Sequence, residues 1–291
     1  MSIIESLLET QEFATLPPVA AKLLNILHND NVNVKDIAVI IETDPSLTLK
    51  LLRVANSPLY ATRTEINSIS QAVVTLGLNR ISNIVLGVSI FSRFLLRAHS
   101  NIAELMQKFW WHSSCTGMVA KSLAHKIKKN YKETEFIGGL VHDIGKLAML
   151  QFDAQKYKSV VDLVVAGSMD VEAEQKIFGI SHTEVGMEIA KLWKLPDEMT
   201  TIITNHTHPA EAKTSKDLVA VVRLADVLCE MWGADFYEGF RAVDIEQEES
   251  WKVLCATFVE LNNMDVEQFT FELETEFRRS TDFLNLMVSD K

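Results

Sequence analysis

The chain has 291 residues, of which 47% are hydrophobic and 23% charged, and its formal net charge is −11. This composition supports a large hydrophobic core and excludes an intrinsically disordered chain. Eleven glycines and six prolines are too few for an all-β sandwich or barrel, which needs many tight turns. Cys115, Cys229 and Cys255 form no C-x-x-C pattern, which indicates a reducing compartment and no disulfide framework.

The negative charge is concentrated at the C-terminal end of the chain. Residues 235–291 contain 14 Asp and Glu against 5 Lys and Arg. Such a surface would repel a phosphate backbone, so we expect no nucleic-acid partner. The pattern favours a solvated helical face, and the alternative is a docking surface for a basic partner.

The sequence shows no signal for export or membrane insertion. Glu5, Glu9 and Glu12 stand where a secretory signal would carry a positively charged region. The most apolar stretch, residues 81–96, is interrupted by polar residues that include Arg93, which indicates a buried helix rather than a membrane span. We therefore expect a cytoplasmic protein without a membrane partner.

The first third of the chain predicts four successive helices. Leu16-Pro17-Pro18 is typical of a helix entered through proline. Asn33 and Asp44 can each cap the start of a following helix, and a fourth helix follows Ser68 and can end at Gly77. The apolar positions on these helices are Val19, Leu23, Leu24 and Leu27, then Ile37, Ile40 and Ile41, then Leu47, Leu51, Leu52 and Ala55 before Asn56-Ser57-Pro58, and finally Ile69, Val73 and Leu76.

The same pattern continues and predicts an all-α fold. Residues 78–96 form a longer, mostly apolar stretch, and no convincing β-strand alternation occurs in the sequence. The apolar runs are interrupted at His99, Ser100 and Asn101, so we predict a subdomain boundary there. Two apolar stripes near the C-terminus are typical of amphipathic helices that face a core, namely Trp251, Leu254, Cys255 and Phe258, and Phe269, Leu273 and Phe277.

The sequence places an imidazole and a carboxylate side by side, His142 and Asp143, in an otherwise apolar helical stretch. Both groups are costly to desolvate unless something pairs with them. On a continuous helix they would project about 100° apart and would need two separate partners. Neutral imidazole and carboxylate also bind first-row divalent metals without thiolates, so the pair predicts a metal site.

Four further residues have matching chemistry and lie on separate predicted helices: His112, His182, His206 and Asp226. They can converge only if several helices point their inner faces at one spot, as in the metal sites of helical bundles. Taken singly, each histidine is more often a structural residue than a ligand. Asp226 can alternatively pair with Arg223, three residues before it. The joint occurrence favours the metal site.

The order His112, His142-Asp143-x-Gly145-Lys146, His182-x-x-x-Gly186, His206 and Asp226 resembles the HD superfamily of metal-dependent phosphohydrolases. The N-terminal motifs resemble those of the HDOD family, the HD-related output domains of bacterial signalling proteins. These motifs are Leu16-Pro17-Pro18, Asp44-Pro45-Ser46-Leu47, Leu52-Arg53-Val54-Ala55-Asn56-Ser57 and Ile66-Asn67-Ser68-Ile69-Ser70-Gln71-Ala72-Val73.

The resemblance implies a domain over residues 10–232, in which an N-terminal helical lobe, 10–98, packs on an HD-type metal-site lobe, 99–232. Residues 233–291 would then form an acidic C-terminal helical extension.

The resemblance also implies one or two divalent ions at this set of residues, with His112, His142, Asp143, His182, His206 and Asp226 as ligands. Asp143 could bridge two cations, and a metal-bound water would lose its proton near neutral pH and attack phosphorus. Lys146 could stabilise developing charge on the phosphoryl oxygens, and its alternative role is that of a snorkelling surface lysine. Asp143 and Lys146 are therefore the candidate catalytic residues. The ligand types do not distinguish Fe, Mn, Zn, Ni, Co and Mg.

The segment Asn205-His206-Thr207-His208-Pro209 departs from the related HD-GYP phosphodiesterases. Those enzymes carry two adjacent histidines here and a Gly-Tyr-Pro element beyond, whereas this chain has Thr207 in place of the second histidine and no Gly-Tyr-Pro. This departure argues against hydrolysis of cyclic di-GMP. It also removes one metal position unless His208 takes it.

Two functions follow from these observations. One is a signal-transduction output module that uses a metal-stapled helical fold to bind signalling proteins in trans. The other is a metal-dependent phosphohydrolase acting on a nucleotide, a phosphodiester or another phosphorylated small molecule. The nearly complete ligand set and Lys146 favour turnover, whereas Thr207 and the absence of an obvious phosphate-cradling loop favour the module. We expect the module, with metal in the site in either case.

Overall fold

The structure is a computed structural model that describes residues 16–27, 33–57, 60, 64–95, 102–239 and 243–288, together with Ile4 and Ser6. Its described residues are helical and contain no β-strand, which confirms the predicted all-α fold. They divide into two compact units. We call Leu16–Arg97 the N-terminal unit and Ala98–Ser280 the metal-site unit.

The N-terminal unit starts its helices at the predicted positions. Asn33 accepts hydrogen bonds from the Lys35 and Asp36 backbone N–H groups and forms a capping box with Asp36. Asp44 and Ser68 likewise accept an N–H hydrogen bond from the third residue after each. The helices are α1 (Pro18–Leu27), α2 (Val34–Glu42), α3 (Pro45–Ala55), α4 (Ile69–Leu76) and α5 (Leu78–Leu95). Gly77 is the C-cap of α4.

The apolar stripes of these helices form the core of the N-terminal unit. The residues at most 1% exposed include Leu23, Ile37, Ile41, Leu51, Val54, Ile69, Ile81, Ile84, Val85, Leu86, Val88 and Ile90. The last six confirm that α5 is mostly buried over residues 81–90. No helix among the described residues is long and apolar enough to span a membrane. Pro58, Leu96, His99, Ser100, Asn101 and residues 10–15, which the sequence analysis used, lie outside the described residues.

The metal-site unit is built from longer helices and short connections. Its elements are α6 (Ala103–Lys126), α7 (Thr134–Val141), α8 (Ile144–Phe152), α9 (Ala154–Ala166), α10 (Asp170–Phe178), α11 (His182–Trp193), α12 (Asp197–Asn205), a 3₁₀ turn (Pro209–Glu211), α13 (Lys216–Met231), α14 (Glu249–Thr257), a second 3₁₀ turn (Val259–Asn263) and the part of α15 (Val266–Val288) that ends at Ser280. Helix α6 packs along α7 and α13, and these three helices form the middle of the unit.

The C-terminal helices share a hydrophobic core with α6 and α13. Six of the seven predicted stripe residues are buried in one cluster with residues of those helices, and Cys255 is half-buried against it. The predicted orientation of both stripes is therefore confirmed. All three cysteines are free.

Candidate metal centre

His142 and Asp143 lie at a junction between two helices, so the expectation of one continuous helical stretch was wrong. His142 is the C-cap of α7, and Asp143 is the N-cap of α8. The break lets both side chains point to the same side, with His142 Nε2 3.5 Å from Asp143 Oδ2. A continuous helix would have turned them about 100° apart.

The structure brings the other four candidate residues to the same place. His112 lies in the middle of α6, and Asp226 lies in α13 among buried apolar residues. His182 is the first residue of α11, behind a capping box of Ser181 and Glu184, and His206 is the C-cap of α12. All six candidate ligands are at most 1% exposed.

One group of ligand atoms surrounds His112 Nε2. It lies 3.3 Å from His142 Nε2 and 3.2 Å from Asp226 Oδ1, and Asp143 Oδ2 lies 3.9 Å away. Ligands on a tetrahedral ion with bonds of about 2.1 Å are separated by about 3.4 Å. His112, His142 and Asp226 are therefore spaced as ligands of one metal ion would be, and a donor atom of Glu238 also lies within 4.8 Å of each of their ligand atoms. We call His112, His142, Asp226 and Asp143 Oδ2 subsite A.

A second group lies on the other side of the Asp143 carboxylate. Asp143 Oδ1 is 3.4 Å from His182 Nε2 and 3.3 Å from His206 Nε2, and these two nitrogens are 3.2 Å apart. We call His182, His206 and Asp143 Oδ1 subsite B. Asp143 offers one oxygen to each subsite, which is the arrangement needed for a carboxylate that bridges two ions.

The hydrogen bonds of the imidazoles fix which nitrogen faces the subsites. Nδ1–H of His112 donates to the Ala234 carbonyl oxygen at 2.8 Å, and Nδ1–H of His142 donates to the Gly139 carbonyl oxygen at 2.9 Å. A carbonyl oxygen only accepts, so Nδ1 carries the proton in both rings. The two Nε2 atoms then face each other at 3.3 Å, and only a shared proton or a shared cation is compatible with that approach.

His182 and His206 are held in the same way. Nδ1–H of His182 donates to Glu174 Oε2 at 2.7 Å, and Nδ1–H of His206 donates to the Ile203 carbonyl oxygen at 3.2 Å. Partners of this kind on the second ring nitrogen are typical of metal-binding histidines, because they fix the tautomer and the ring orientation. Subsite B therefore also presents its Nε2 lone pairs inward.

Asp143 occupies the N-cap position of α8 but does not cap the helix. Its side chain accepts no hydrogen bond from the backbone of the helix. Its Oδ1, and Asp226 Oδ1, are buried without a hydrogen-bond partner in the described structure, whereas its Oδ2 lies 2.9 Å from the Lys146 ammonium. Because buried carboxylate oxygens are costly to leave unsatisfied, the donor set fits one or two divalent cations. The lack of thiolates excludes a cysteine-based structural zinc site.

The buried side chains around the centre carry an excess of negative charge, which favours a bound cation. Five buried carboxylates, Asp143, Asp170, Glu174, Asp226 and Glu238, stand against two buried basic side chains, Lys146 and Arg223. An uncompensated negative charge in the interior is strongly unfavourable. The carboxylate excess can be offset by metal ions or by protons on the histidines.

Burial and the neighbouring charges shift the pKa values of the residues in the centre. Burial alone would raise the pKa of Asp143, but Lys146 and His142 hold it well below its usual range. Burial alone would lower the pKa of His142, but Asp143 and other carboxylates raise it to about 9. His206 is different, because burial lowers its pKa to about 4. Burial would likewise lower the pKa of His182, but Glu174 and Asp143 raise it to about 9. An ion-free centre thus holds protons on His142 and His182.

Lys146 is fully buried, so the alternative of a snorkelling surface lysine was wrong. Its Nζ lies 2.9 Å from Asp143 Oδ2, 2.8 Å from Asp170 Oδ2 and 2.9 Å from Glu238 Oε1. An ammonium has three N–H donors, and three carboxylates lie within reach of them. The catalytic role expected for Lys146 stays a prediction.

Sequence reasoning missed the residues that support the ligands. Asp170 and Glu174 lie on α10, and Glu238 lies after α13; acidic residues at such positions look like solvated surface groups in sequence. Arg223 was considered only as a partner of Asp226, and it does donate to Asp226 Oδ2 at 2.7 Å while Oδ1 stays in subsite A. The structural and metal-binding interpretations of Asp226 are therefore compatible.

Two sequence features outside the ligand set have clear structural outcomes. The side chain of His208 is 63% exposed and lies 3.8 Å from Glu249, so it does not replace the missing second histidine at residue 207.

Gly145 lies where α8 meets α11, and a Cβ there would stand 1.9 Å from the His182 carbonyl oxygen. Glycine is therefore required for His182 to reach Asp143.

Comparisons with known proteins agree with this architecture. The HDOD domain family model matches residues 13–209. An uncharacterized protein of Treponema pallidum (strain Nichols) is 24% identical over 218 residues, which are 73% of this chain and 42% of that protein. The chain thus spans about two fifths of the length of this relative.

Solved structures show the same fold. An HDOD domain protein of unknown function from Geobacter sulfurreducens matches with a TM-score of 0.73 and 25% identity over 92% of each chain. A protein from Shewanella amazonensis SB2B, provisionally assigned as a phosphohydrolase, matches with a TM-score of 0.72 and 21% identity over 97% of this chain and 98% of its own. A provisionally assigned signal transduction protein from Marinobacter aquaeolei VT8 matches with a TM-score of 0.67 and 20% identity, over 94% of this chain and 59% of its own. Because the family model covers more than half of the sequence, this chain belongs to the HDOD family.

Proposed function

We propose that the protein is an output module of bacterial signal transduction, which uses a metal-stapled helical unit to bind other proteins in trans without turning over a substrate. The observation that carries this proposal is the burial of the centre. None of the six candidate ligands is more than 1% exposed. A catalytic ion needs an open position for water and substrate, whereas a structural ion is enclosed by protein ligands.

The surroundings of Lys146 support the same function. A lysine that stabilises a phosphoryl group must offer N–H donors to the substrate. Asp143, Asp170 and Glu238 all lie within 2.9 Å of its ammonium group. Lys146 thus serves to balance the buried carboxylates, which holds α8, α10 and the segment after α13 together.

The metal would be bound by subsite A, by subsite B or by both. When bound, a divalent cation supplies positive charge between histidines and aspartates that come from six different helices or helix ends. Because such a site exists only in the folded unit, the free energy of metal binding adds to the free energy of folding. The donors are compatible with Fe, Mn, Zn, Ni, Co and Mg.

A second candidate function is a metal-dependent phosphohydrolase acting on a nucleotide or phosphodiester. One observation favours it: the two oxygens of Asp143 face different subsites, at 3.5 Å from His142 and 3.4 Å from His182. A pair of bridged ions is a common arrangement for attack on phosphorus.

Elemental analysis followed by a hydrolysis screen separates the two functions. We expect one or two equivalents of a divalent metal and no turnover of bis(p-nitrophenyl) phosphate, nucleotides or cyclic dinucleotides with added Mn, Fe or Zn. The matched variants are Asp143→Asn and Asp162→Asn, since Asp162 is an exposed residue of α9. Hydrolysis that disappears in Asp143→Asn and persists in Asp162→Asn would establish the enzyme instead. A purified and reconstituted protein that binds no metal would contradict both functions.

A further inference from the structure

Residues 233–239, which we call the strap, lead from α13 towards the acidic C-terminal helices and lie against the centre. The Ala234 carbonyl oxygen accepts the Nδ1–H hydrogen bond of His112 at 2.8 Å. The Phe236 ring is fully buried and stacks near the His112 ring, with the centroids 6.5 Å apart. Two strap residues therefore set the orientation of a subsite A ligand. The strap lies beyond the residues that match the HDOD family model.

Glu238 joins the strap to both basic side chains of the centre. Its Oε1 lies 2.9 Å from Lys146 Nζ, and its Oε2 accepts a hydrogen bond from Arg223 Nη1 at 2.9 Å. Each of these basic groups also holds a candidate ligand, because Lys146 lies 2.9 Å from Asp143 Oδ2 and Arg223 donates to Asp226 Oδ2. Glu238 is thus a carboxylate bridge between the two groups that position the two aspartates.

The backbone of the strap is also attached to the centre. The Asp170 backbone N–H donates to the Glu238 carbonyl oxygen at 3.2 Å, and Asp170 itself holds Lys146. Gly239 has a φ of +96°, and a Cβ there would lie 2.6 Å from the Ser168 carbonyl oxygen. The close approach at the end of the strap therefore depends on glycine.

We propose that metal occupancy and attachment of the strap are coupled, with Glu238 as the positioning residue. Without Glu238, Lys146 and Arg223 would lose a shared counter-charge and would compete more strongly with the metal for Asp143 and Asp226. Without the metal, the buried carboxylates would lose the cation that separates them and would repel one another. The strap contacts at His112 and Lys146 would weaken as a result. Binding coupling of this kind is reciprocal.

The coupling would make the attachment of the strap depend on whether the metal is bound. In the sequence the strap precedes the acidic C-terminal helices, the first of which begins at Glu249. A partner that displaces the strap would lower metal affinity, and loss of the metal would loosen the attachment of the strap. This inference rests on the metal site of the proposed function and adds a means of regulation to it.

Hydrogen–deuterium exchange on the wild-type chain provides the first test. We expect amide exchange in the strap peptide to slow at least about tenfold when Zn(II) or Mn(II) binds, since a ligand present well above its Kd suppresses openings that release it. A peptide covering α3 in the N-terminal unit serves as the reference. Bound metal with unchanged strap exchange would overturn the coupling, whereas failure to bind any metal would overturn the proposed function.

A variant series gives the second test. Glu238→Gln should lower metal affinity by about 10–100-fold in a chelator competition, as loss of an outer-shell partner typically does, and should alter the absorption spectrum of the Co(II)-loaded protein. Glu238→Asp should restore part of the affinity, and Glu246→Gln, at an exposed position after the strap, should leave it unchanged. Unaltered affinity in folded Glu238→Gln would contradict the role of Glu238. If that variant does not fold, the wild-type exchange experiment decides.

Discussion

The two units of this chain differ in what some polar residues at their helix starts do. In the N-terminal unit, Asn33, Asp44 and Ser68 cap the helices that follow them. In the metal-site unit, α8 and α13 start at Asp143 and Ser215, which are residue types that cap well, yet neither side chain accepts a capping hydrogen bond. In α8, the aspartate oxygens face histidines instead. Asp153 and Ser181 do cap α9 and α11 in the second unit, so the contrast concerns its metal centre, where long-range contacts replace local caps.

This difference predicts different sensitivities. A change in the N-terminal unit should cost stability through a cap or an apolar contact and leave metal binding intact. A change at the centre of the metal-site unit should affect folding and metal binding together, because the same side chains serve both. The following variants test this contrast in order of expected effect.

The largest effect is expected for Asp143→Asn. The change removes the charge shared by both subsites and leaves Lys146 without one of its three carboxylates, and breaking a buried ion network of this type costs about 3–5 kcal/mol. Metal content should fall to background, and the unfolding temperature should no longer respond to a chelator. Elemental analysis and calorimetry provide the measurements. Normal metal content in this variant would remove Asp143 from the ligand set.

Gly145→Ala should be the next most severe change. The added Cβ would meet the His182 carbonyl oxygen at 1.9 Å, so α8 and α11 must separate, at a cost of about 3 kcal/mol. Metal affinity should fall as well, because His182 moves away from Asp143. Gly179→Ala is the control, since its Cβ would meet nothing within 4 Å and only its positive φ costs about 1 kcal/mol. Equal effects of both changes on metal binding would contradict the packing argument.

A smaller effect on binding is expected for Glu174→Ala. Glu174 accepts hydrogen bonds from both the backbone N–H and Nδ1–H of His182, at 2.8 and 2.7 Å. Loss of such a partner typically lowers metal affinity about 10–100-fold. Glu172→Ala, at an exposed position on the same helix, should bind metal normally. A chelator competition that finds the two variants alike would exclude an orienting role for Glu174.

The smallest effect is expected for Asp44→Ala in the N-terminal unit. The change removes the hydrogen bond from the Leu47 backbone N–H that caps α3, which should cost about 1 kcal/mol in the free energy of unfolding. Metal content and metal affinity should match the wild type. Denaturant unfolding measures the first quantity and elemental analysis the second. A loss of metal here would show that the contrast between the units is incomplete.

The sequence by itself predicted the helical fold and the identity of the residues that converge. Helix periodicity and N-capping depend on neighbours within a few positions, so the starts at Asn33, Asp44, Ser68 and His182 could be predicted from local residue types. The six candidate ligands could be chosen because imidazoles and carboxylates in apolar stretches need partners. Their role in binding metal stays a prediction, although the structure does bring them together.

Only the tertiary structure decided how those residues are arranged and what supports them. The break between His142 and Asp143, the division into two subsites and the burial of Lys146 depend on helices distant in sequence. Asp170, Glu174 and Glu238 resemble surface carboxylates in sequence, and they become buried because Lys146, His182 and Arg223 reach them from other elements. Burial of a charge depends on a partner elsewhere in the fold, and local sequence patterns carry no information about that partner.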